Sequence, residues 1–288
     1  MFYTGVESMT RVPMGLQSSL PKKNGFGHYL SPNIFKRYGV EEFSQFVGAD
    51  MMAKKYGLSR EVLDTFSLES HLRAAKAIEA KVFVDEILPL EARTYDPKTG
   101  LKKNLGELHL IDEGIRFDVT LEKLAALKPI SEGGLLTPGS ASQLCDGASG
   151  VIIVNEDGLK TLGVQPLARI HHFSVVGGDP IIMLESPLVA TDKALKKAGM
   201  KYSDIDIFEI NEAFASVPLA WLKHTEVDPQ KLNPFGGAIA LGHPLGGSGT
   251  KLLSTLVYGL IHQKKRFGLQ SMCEGGGMAN VTIIENMQ

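Results

Sequence analysis

The chain has 288 residues, 43% of them hydrophobic and 22% charged, with a net charge of −2 at pH 7. That is enough chain for one large core or two ordinary ones, and the near-neutral balance excludes a general electrostatic hold on nucleic acid or an anionic membrane. Two cysteines exclude a disulfide scaffold and point to a reducing, cytoplasmic setting, and no apolar run nears the roughly 20 residues that a membrane helix needs.

Residues 1–35 are rich in Gly, Pro and Ser and read as loop with short pieces of structure. Residues 41–56 and 59–82 read as helices. Ser59 is placed to cap the second, in which Leu63, Phe66, Ser70, Ala74 and Ala77 recur at helical spacing. Residues 82–92 read as a strand and 95–100 as a turn. Residues 101–136 look irregular, with a short helix over 120–126. After 136 the composition shifts to a small-residue loop, followed by a buried strand at 151–154. A strand over 167–178 leads to a helix over 187–198 that Gly199 ends. A buried strand at 205–210 opens directly into a helix over 211–224. A helix over 249–265 and strands at 268–272 and 281–285 close the chain. Strand and helix alternate from about 150 onward, which predicts an α/β architecture.

Three sites in the C-terminal part carry chemistry. Asn211 opens the run Asn-Glu-Ala-Phe-Ala at a strand-to-helix junction, where α/β sheets place ligand groups; it reads either as a ligand-facing residue or as a helix cap. His243 lies between Gly242 and Pro244 in a loop of small residues. A neutral His in such an open loop can serve as a general base; the plain alternative is a solvated turn. Cys273 precedes Glu274 and then Gly275, Gly276 and Gly277. Glycines there leave backbone N–H groups free and room beside the sulfur, which suits an anion-stabilising pocket, whereas an isolated Cys is commonly a small buried hydrophobe. Cys145 has no such setting and reads as structural. The run from Gly246 to Lys251 has the residue types of a phosphate loop, but Thr250 precedes Lys251, the reverse of the required order. His171 and His172 alternate faces on a strand and lack a supporting ligand cluster, so no metal site is read. Trp221 reads as a packing residue.

Taken in order, the Asn211 run, the Gly-rich stretch around His243 and the Cys273-Glu-Gly-Gly-Gly run resemble the thiolase family of acyl-CoA acyltransferases. The segment 5–11 (Gly-Val-Glu-Ser-Met-Thr-Arg) is similar to that family's stretch just after its nucleophilic Cys. Residues 139–149 are similar to its coenzyme-A-contacting loop.

The resemblance implies an α/β fold of stacked αβαβα layers made from two similar halves, with a loop domain inserted in the first. It implies a remnant of the first half at 1–11, the loop domain at 12–140, the tail of the first half at 141–166, and the second half at 167–288. It implies acyl transfer between acyl-CoA or 3-ketoacyl-CoA thioesters, by Claisen condensation or thiolysis, with coenzyme A as substrate and no permanently bound cofactor or metal. His243 corresponds to the base that activates the nucleophilic thiol, and Cys273 to the acid/base at the α-carbon. Asn211 corresponds to the holder of an enolate-stabilising water, the Gly275 N–H to an oxyanion donor, and Ser142 to a coenzyme A contact. A homo-oligomer, dimer or tetramer, is implied as well. Because the family's nucleophile lies upstream of the 5–11 segment, the first half is expected to be largely missing and the chain to be truncated, marginally stable and without its nucleophilic Cys. The alternative is a non-catalytic acyl-CoA-binding protein or one subunit of a split thiolase.

Overall fold

A computed structural model describes residues 1–96 and 98–288; Pro97, inside the expected turn at 95–100, lies outside the described residues. In chain order the elements are β1 (Phe2–Ser8), α1 (Leu16–Lys23), α2 (Pro32–Tyr38), α3 (Gln45–Lys55), α4 (Arg60–Glu79), β2 (Leu90–Tyr95), β3 (Lys102–His109), α5 (Leu121–Ala125), β4 (Asp146–Ile152), α6 (Glu156–Leu162), β5 (Ala168–Gly177), α7 (Ser186–Ala198), β6 (Ile207–Ile210), α8 (Ser216–Thr225), α9 (Ala238–Leu241), α10 (Ser248–Gln263), β7 (Phe267–Glu274) and β8 (Met278–Asn286).

The organising unit is a four-stranded sheet in the order β5-β8-β7-β6. β6 runs parallel to β7, and the other two pairings are antiparallel. Every residue of β6 is buried, because helices cover both faces. Successive side chains of a strand point to opposite faces. Phe208 and Ile210 accordingly join a core with α3, α7 and α8, in which Met52, Leu188 and Trp221 are buried. Ile207 joins a second core with Ala74 of α4, Leu241 of α9, and Leu256 and Leu260 of α10. Trp221 is a packing residue as expected, and its indole N–H donates to Thr191 Oγ1 at 3.0 Å, which satisfies its one polar atom.

The expected helix at 59–82 is present as α4, and the Ser59 hydroxyl accepts the Val62 N–H at 3.3 Å. Leu63, Ser70, Ala74 and Ala77 all lie on its buried face. Gly199 ends α7 in the left-handed conformation, φ 68°.

Four expectations are overturned. Of the strand expected at 82–92, only 90–92 is strand, as the start of β2; residues 82–86 form turns, since the chain leaves α4 through Lys81 at φ 59° and the Val82 N–H caps Ala77 O at 2.9 Å. Residues 101–136, expected to be irregular, contain the strand β3, while the short pieces of structure expected in 1–35 include the strand β1; neither strand shows in the local pattern because each strand's partner supplies its order. β1 pairs antiparallel with β4 in the register Phe2↔Ile152 to Ser8↔Asp146, and β3 pairs with β2 in a bulged hairpin. The expected buried strand at 151–154 begins earlier, at Asp146, and alternates exposed with half-buried. The helix expected from Asn211 begins only at Ser216. No helix among the described residues is long and apolar enough to cross a membrane.

Candidate active site

The site forms where β6 and β7 end side by side. Their parallel register pairs Ile210 with Ser271, and the next residue, Asn211, donates its backbone N–H to Ser271 O at 3.0 Å. Asn211 thus stands at the C-terminal edge of the sheet, one position from the level of Cys273. Because α8 starts five residues later, Asn211 is not its cap. The intervening segment instead pairs with the small-residue loop: Ser142 N–H donates to Ala213 O at 3.0 Å and Ala215 N–H to Ser140 O at 2.9 Å. This places Ser142, half-buried, beside the Asn211 segment.

His243 approaches from the opposite side. Its loop turns at Gly242, φ 81°, where an added Cβ would lie 2.8 Å from Cys145 Sγ; only Gly takes that conformation at no steric cost. The His243 backbone N–H donates to Gln143 O at 3.1 Å, which ties it to the Ser142 loop. Its ring is buried. Nε2 lies 3.2 Å from Asn211 Nδ2, and Nδ1 lies 2.5 Å from Ser248 Oγ in the first turn of α10. Ser248 in turn donates to Pro244 O at 2.8 Å. Burial, with a smaller contribution from the Lys251 ammonium, lowers the His243 pKa to about 4, so the imidazole is neutral near pH 7. Asn211 Oδ1 is buried and has no hydrogen-bond partner among the described residues.

Glu212 locks this arrangement from below. Its Oε2 accepts from Ser70 Oγ at 2.7 Å and Ile239 N–H at 3.2 Å, and Oε1 accepts from Asn233 Nδ2 at 2.9 Å. One buried carboxylate therefore joins α4, the turn before Gly236, and α9. Within the run that Asn211 opens, residue type alone gives Glu212 no role. The available signal is an acidic residue just after the largely apolar run Ile207–Ile210, a position that burial makes costly unless donors surround it.

Cys273 is half-buried at the end of β7, and burial pushes its thiol up to about 12. Gly275 is in the β7–β8 turn, exposed, with nothing within 4 Å of an added Cβ. Gly277 is the constrained member of the run: at φ 80°, an added Cβ would sit 2.5 Å from Asp179 O. Its carbonyl accepts from Gly178 N–H at 2.8 Å and Ser186 Oγ at 2.5 Å, which pins the turn to the start of α7. Cys145, read as structural from its setting, lies against the His243 loop itself, and burial raises its thiol pKa too. His171 packs edge-on to Phe267 and His172 meets Ser174 Oγ at 3.0 Å. No group of three or more His, Cys, Asp or Glu able to hold a metal occurs among the described residues.

Comparison with known proteins agrees with the geometry. The description "Thiolase, N-terminal domain" matches residues 1–157, and "Thiolase, C-terminal domain" matches residues 164–286. The expectation that the first half is largely missing is therefore corrected, since both domains of the family are represented in the chain. The steroid 3-ketoacyl-CoA thiolase of Mycobacterium tuberculosis is 46% identical over 285 residues, which is 98% of this chain and 67% of that protein. The crystal structure of human mitochondrial 3-ketoacyl-CoA thiolase in complex with CoA superposes with a TM-score of 0.82 at 35% identity, over all of this chain and 71% of that one. That of Bacillus anthracis acetyl-CoA acetyltransferase superposes with a TM-score of 0.83 at 33% identity, over 99% of this chain and 72% of that one. By domain match, identity and superposition, the chain belongs to the thiolase family of acyltransferases.

Proposed function

We propose that the chain binds acyl-CoA thioesters at the edge where β6 and β7 end, and that His243, Asn211, Cys273, Gly275 and Ser142 do the work there. The observation that carries this reading is the buried pair of His243 and Asn211, 3.2 Å apart, at the strand ends where α/β sheets take their ligands. A thioester carbonyl gains negative charge as its α-carbon loses a proton, and polar hydrogens aimed at that oxygen lower the barrier. Asn211, through a water held at its unpartnered Oδ1, supplies that stabilisation, and His243 joins it at Nε2 once it carries the proton of the attacking thiol. Cys273 exchanges the α-proton, the Gly275 N–H faces a second developing oxyanion, and Ser142 contacts coenzyme A. His243 also takes the proton from the attacking thiol. Coenzyme A is a substrate in this scheme, and no bound cofactor enters it.

A second reading, acyl-CoA binding without a covalent step, is favoured by one observation. Both thiols are raised by burial, and a raised thiol is a poor nucleophile because the thiolate is the reactive form. Incubation with acetyl-CoA followed by intact-mass measurement separates the two. An acetyl adduct on the protein supports the acyltransferase reading; saturable CoA binding with no adduct and no product supports the second.

We further read 1–11 and 141–166 as parts of the first half, 12–140 as its loop domain and 167–288 as the second half. A cytoplasmic location and a dimeric or tetrameric assembly complete the proposal.

A further inference from the structure

We propose that Ser248 is a positioning residue that fixes His243 as the Nδ1–H tautomer and leaves Nε2 unprotonated, turned to Asn211 at the site. The inference deepens the reading of His243 as a proton acceptor and rests on it. Ser248 has a single hydroxyl proton. Its Oγ lies 2.8 Å from Pro244 O, and two oxygens at that separation repel unless a hydrogen lies between them. A carbonyl cannot supply that hydrogen, so Ser248 does. Pro244 O has room for it: its other donor is the Gly247 N–H at 2.8 Å, and a carbonyl has two lone pairs. With its proton committed, Ser248 can only accept from His243, 2.5 Å away at Nδ1. The imidazole proton is therefore on Nδ1. Nε2, unprotonated, needs a donor, which the Asn211 amide provides at 3.2 Å; the amide orientation, with Oδ1 turned away and unpartnered, follows from the same constraint.

The opposite tautomer is a coherent alternative only at a cost. Ser248 would turn its proton to Nδ1 and Asn211 would flip to accept from Nε2–H, leaving the Ser248 and Pro244 oxygens in contact with nothing between them. The device is local in sequence, since His243, Pro244 and Ser248 lie within six residues, and rigid in space, since Ser248 is buried in the first turn of α10. A ring tautomer is set by the hydrogen bond its other nitrogen makes. Here that bond is made by the residue that also closes the loop.

Long-range 1H–15N correlation spectra of histidine-labelled protein near neutral pH test this without reference to turnover. The expected wild-type pattern for His243, assigned by its loss in His243→Gln, is a protonated Nδ1 and an unprotonated Nε2. In Ser248→Ala the two nitrogens are expected to average or to reverse. A wild-type spectrum with the proton on Nε2, or a Ser248→Ala spectrum identical to wild type, overturns the proposal. The wild-type spectrum decides the tautomer even if the variant fails to fold. Where acyl transfer is measurable, Ser248→Ala is expected to lower kcat on the order of 10- to 100-fold while KM stays within about two-fold. Wild type that shows the expected tautomer but neither acyl transfer nor CoA binding would sink the functional reading while leaving Ser248's role intact.

Discussion

Glu7 on β1 accepts the backbone N–H of Gly246 at 2.9 Å, joining positions 239 residues apart in the chain. Beside it, an added Cβ at Gly5 would fall on Gly246 O, so β1 runs directly against the loop that carries His243. The first strand of the chain thereby holds the candidate base in place.

Replacing Glu7 with Ala should free the Gly246 N–H. A charge-assisted bond of this kind contributes about 1–2 kcal/mol where half-exposed. Amide exchange at Gly246 should quicken about 5- to 30-fold by that energy, with a small drop in melting temperature. Unchanged exchange would mean that the contact does not hold the loop.

The Gly5→Ala variant should be costlier, because the obstacle is backbone and cannot swing away. A loss of about 2–4 kcal/mol is expected, in line with overpacked cores, read by urea titration. A stability within about 0.5 kcal/mol of wild type would show that β1 and the loop separate freely.

The glycine run after Cys273 should divide by position. Gly277→Ala meets Asp179 O at φ 80° and should destabilise the fold, whereas Gly275→Ala meets nothing and should not. Gly275→Pro removes the N–H proposed as an oxyanion donor. It should lower kcat on the order of 100-fold with the melting temperature held. Equal kcat in Gly275→Pro and Gly275→Ala would remove Gly275 from the site.

Glu86 provides a pH test. Burial pushes its carboxyl up to about 7, against lowering by a Thr255 hydrogen bond and by Lys251, with Asp112 adding to the rise. Glu209, buried on the same side of β6 as Ile207, is raised as well, first by burial and then by the Glu212 and Glu86 charges. Glu86 Oε2 and Glu209 Oε1 have no partners among the described residues. The folded state therefore holds protons that the unfolded chain has already released, and stability falls as pH rises from about 4.5 to about 7. Glu86→Gln should leave stability near pH 4.5 unchanged and raise it by about 1–2 kcal/mol near pH 8. Denaturant titrations at both pH values check this, and a variant that is weaker at the higher pH contradicts it.

His243 provides the converse. Its pKa near 4 means that acyl transfer should hold down to about pH 5 instead of failing near the ordinary histidine value of about 6.5. An activity profile that breaks near pH 6.5 and keeps that break in His243→Gln would assign it to another group.

How much was legible in the sequence varied with the range of the forces involved. α4, α7 and α10 were readable because a helix's bonds and apolar stripe are local: Ser59 caps its own helix, and Gly199 ends its own. β1 and β3 were not, because a strand exists only with its partner. Nothing in Phe2–Ser8 announces Asp146–Ile152. Residues 82–89 resemble a strand for the same reason: Phe83, Val82 and Ile87 serve a core already built by α4 and α10.

For the candidate site, the residue types and their order at Asn211, His243 and Cys273 were sufficient to name a chemistry and a family, since they lie in short motifs that survive without coordinates. Only the tertiary structure decided that Asn211 turns to His243 rather than capping a helix, that Ser248 and Glu212 support them, and that Cys145 lies against the same loop. The sequence states which groups are present at each motif. Hydrogen bonds a few ångströms long between segments tens to hundreds of residues apart decide which of those groups meet, and burial among them decides which keep their protons.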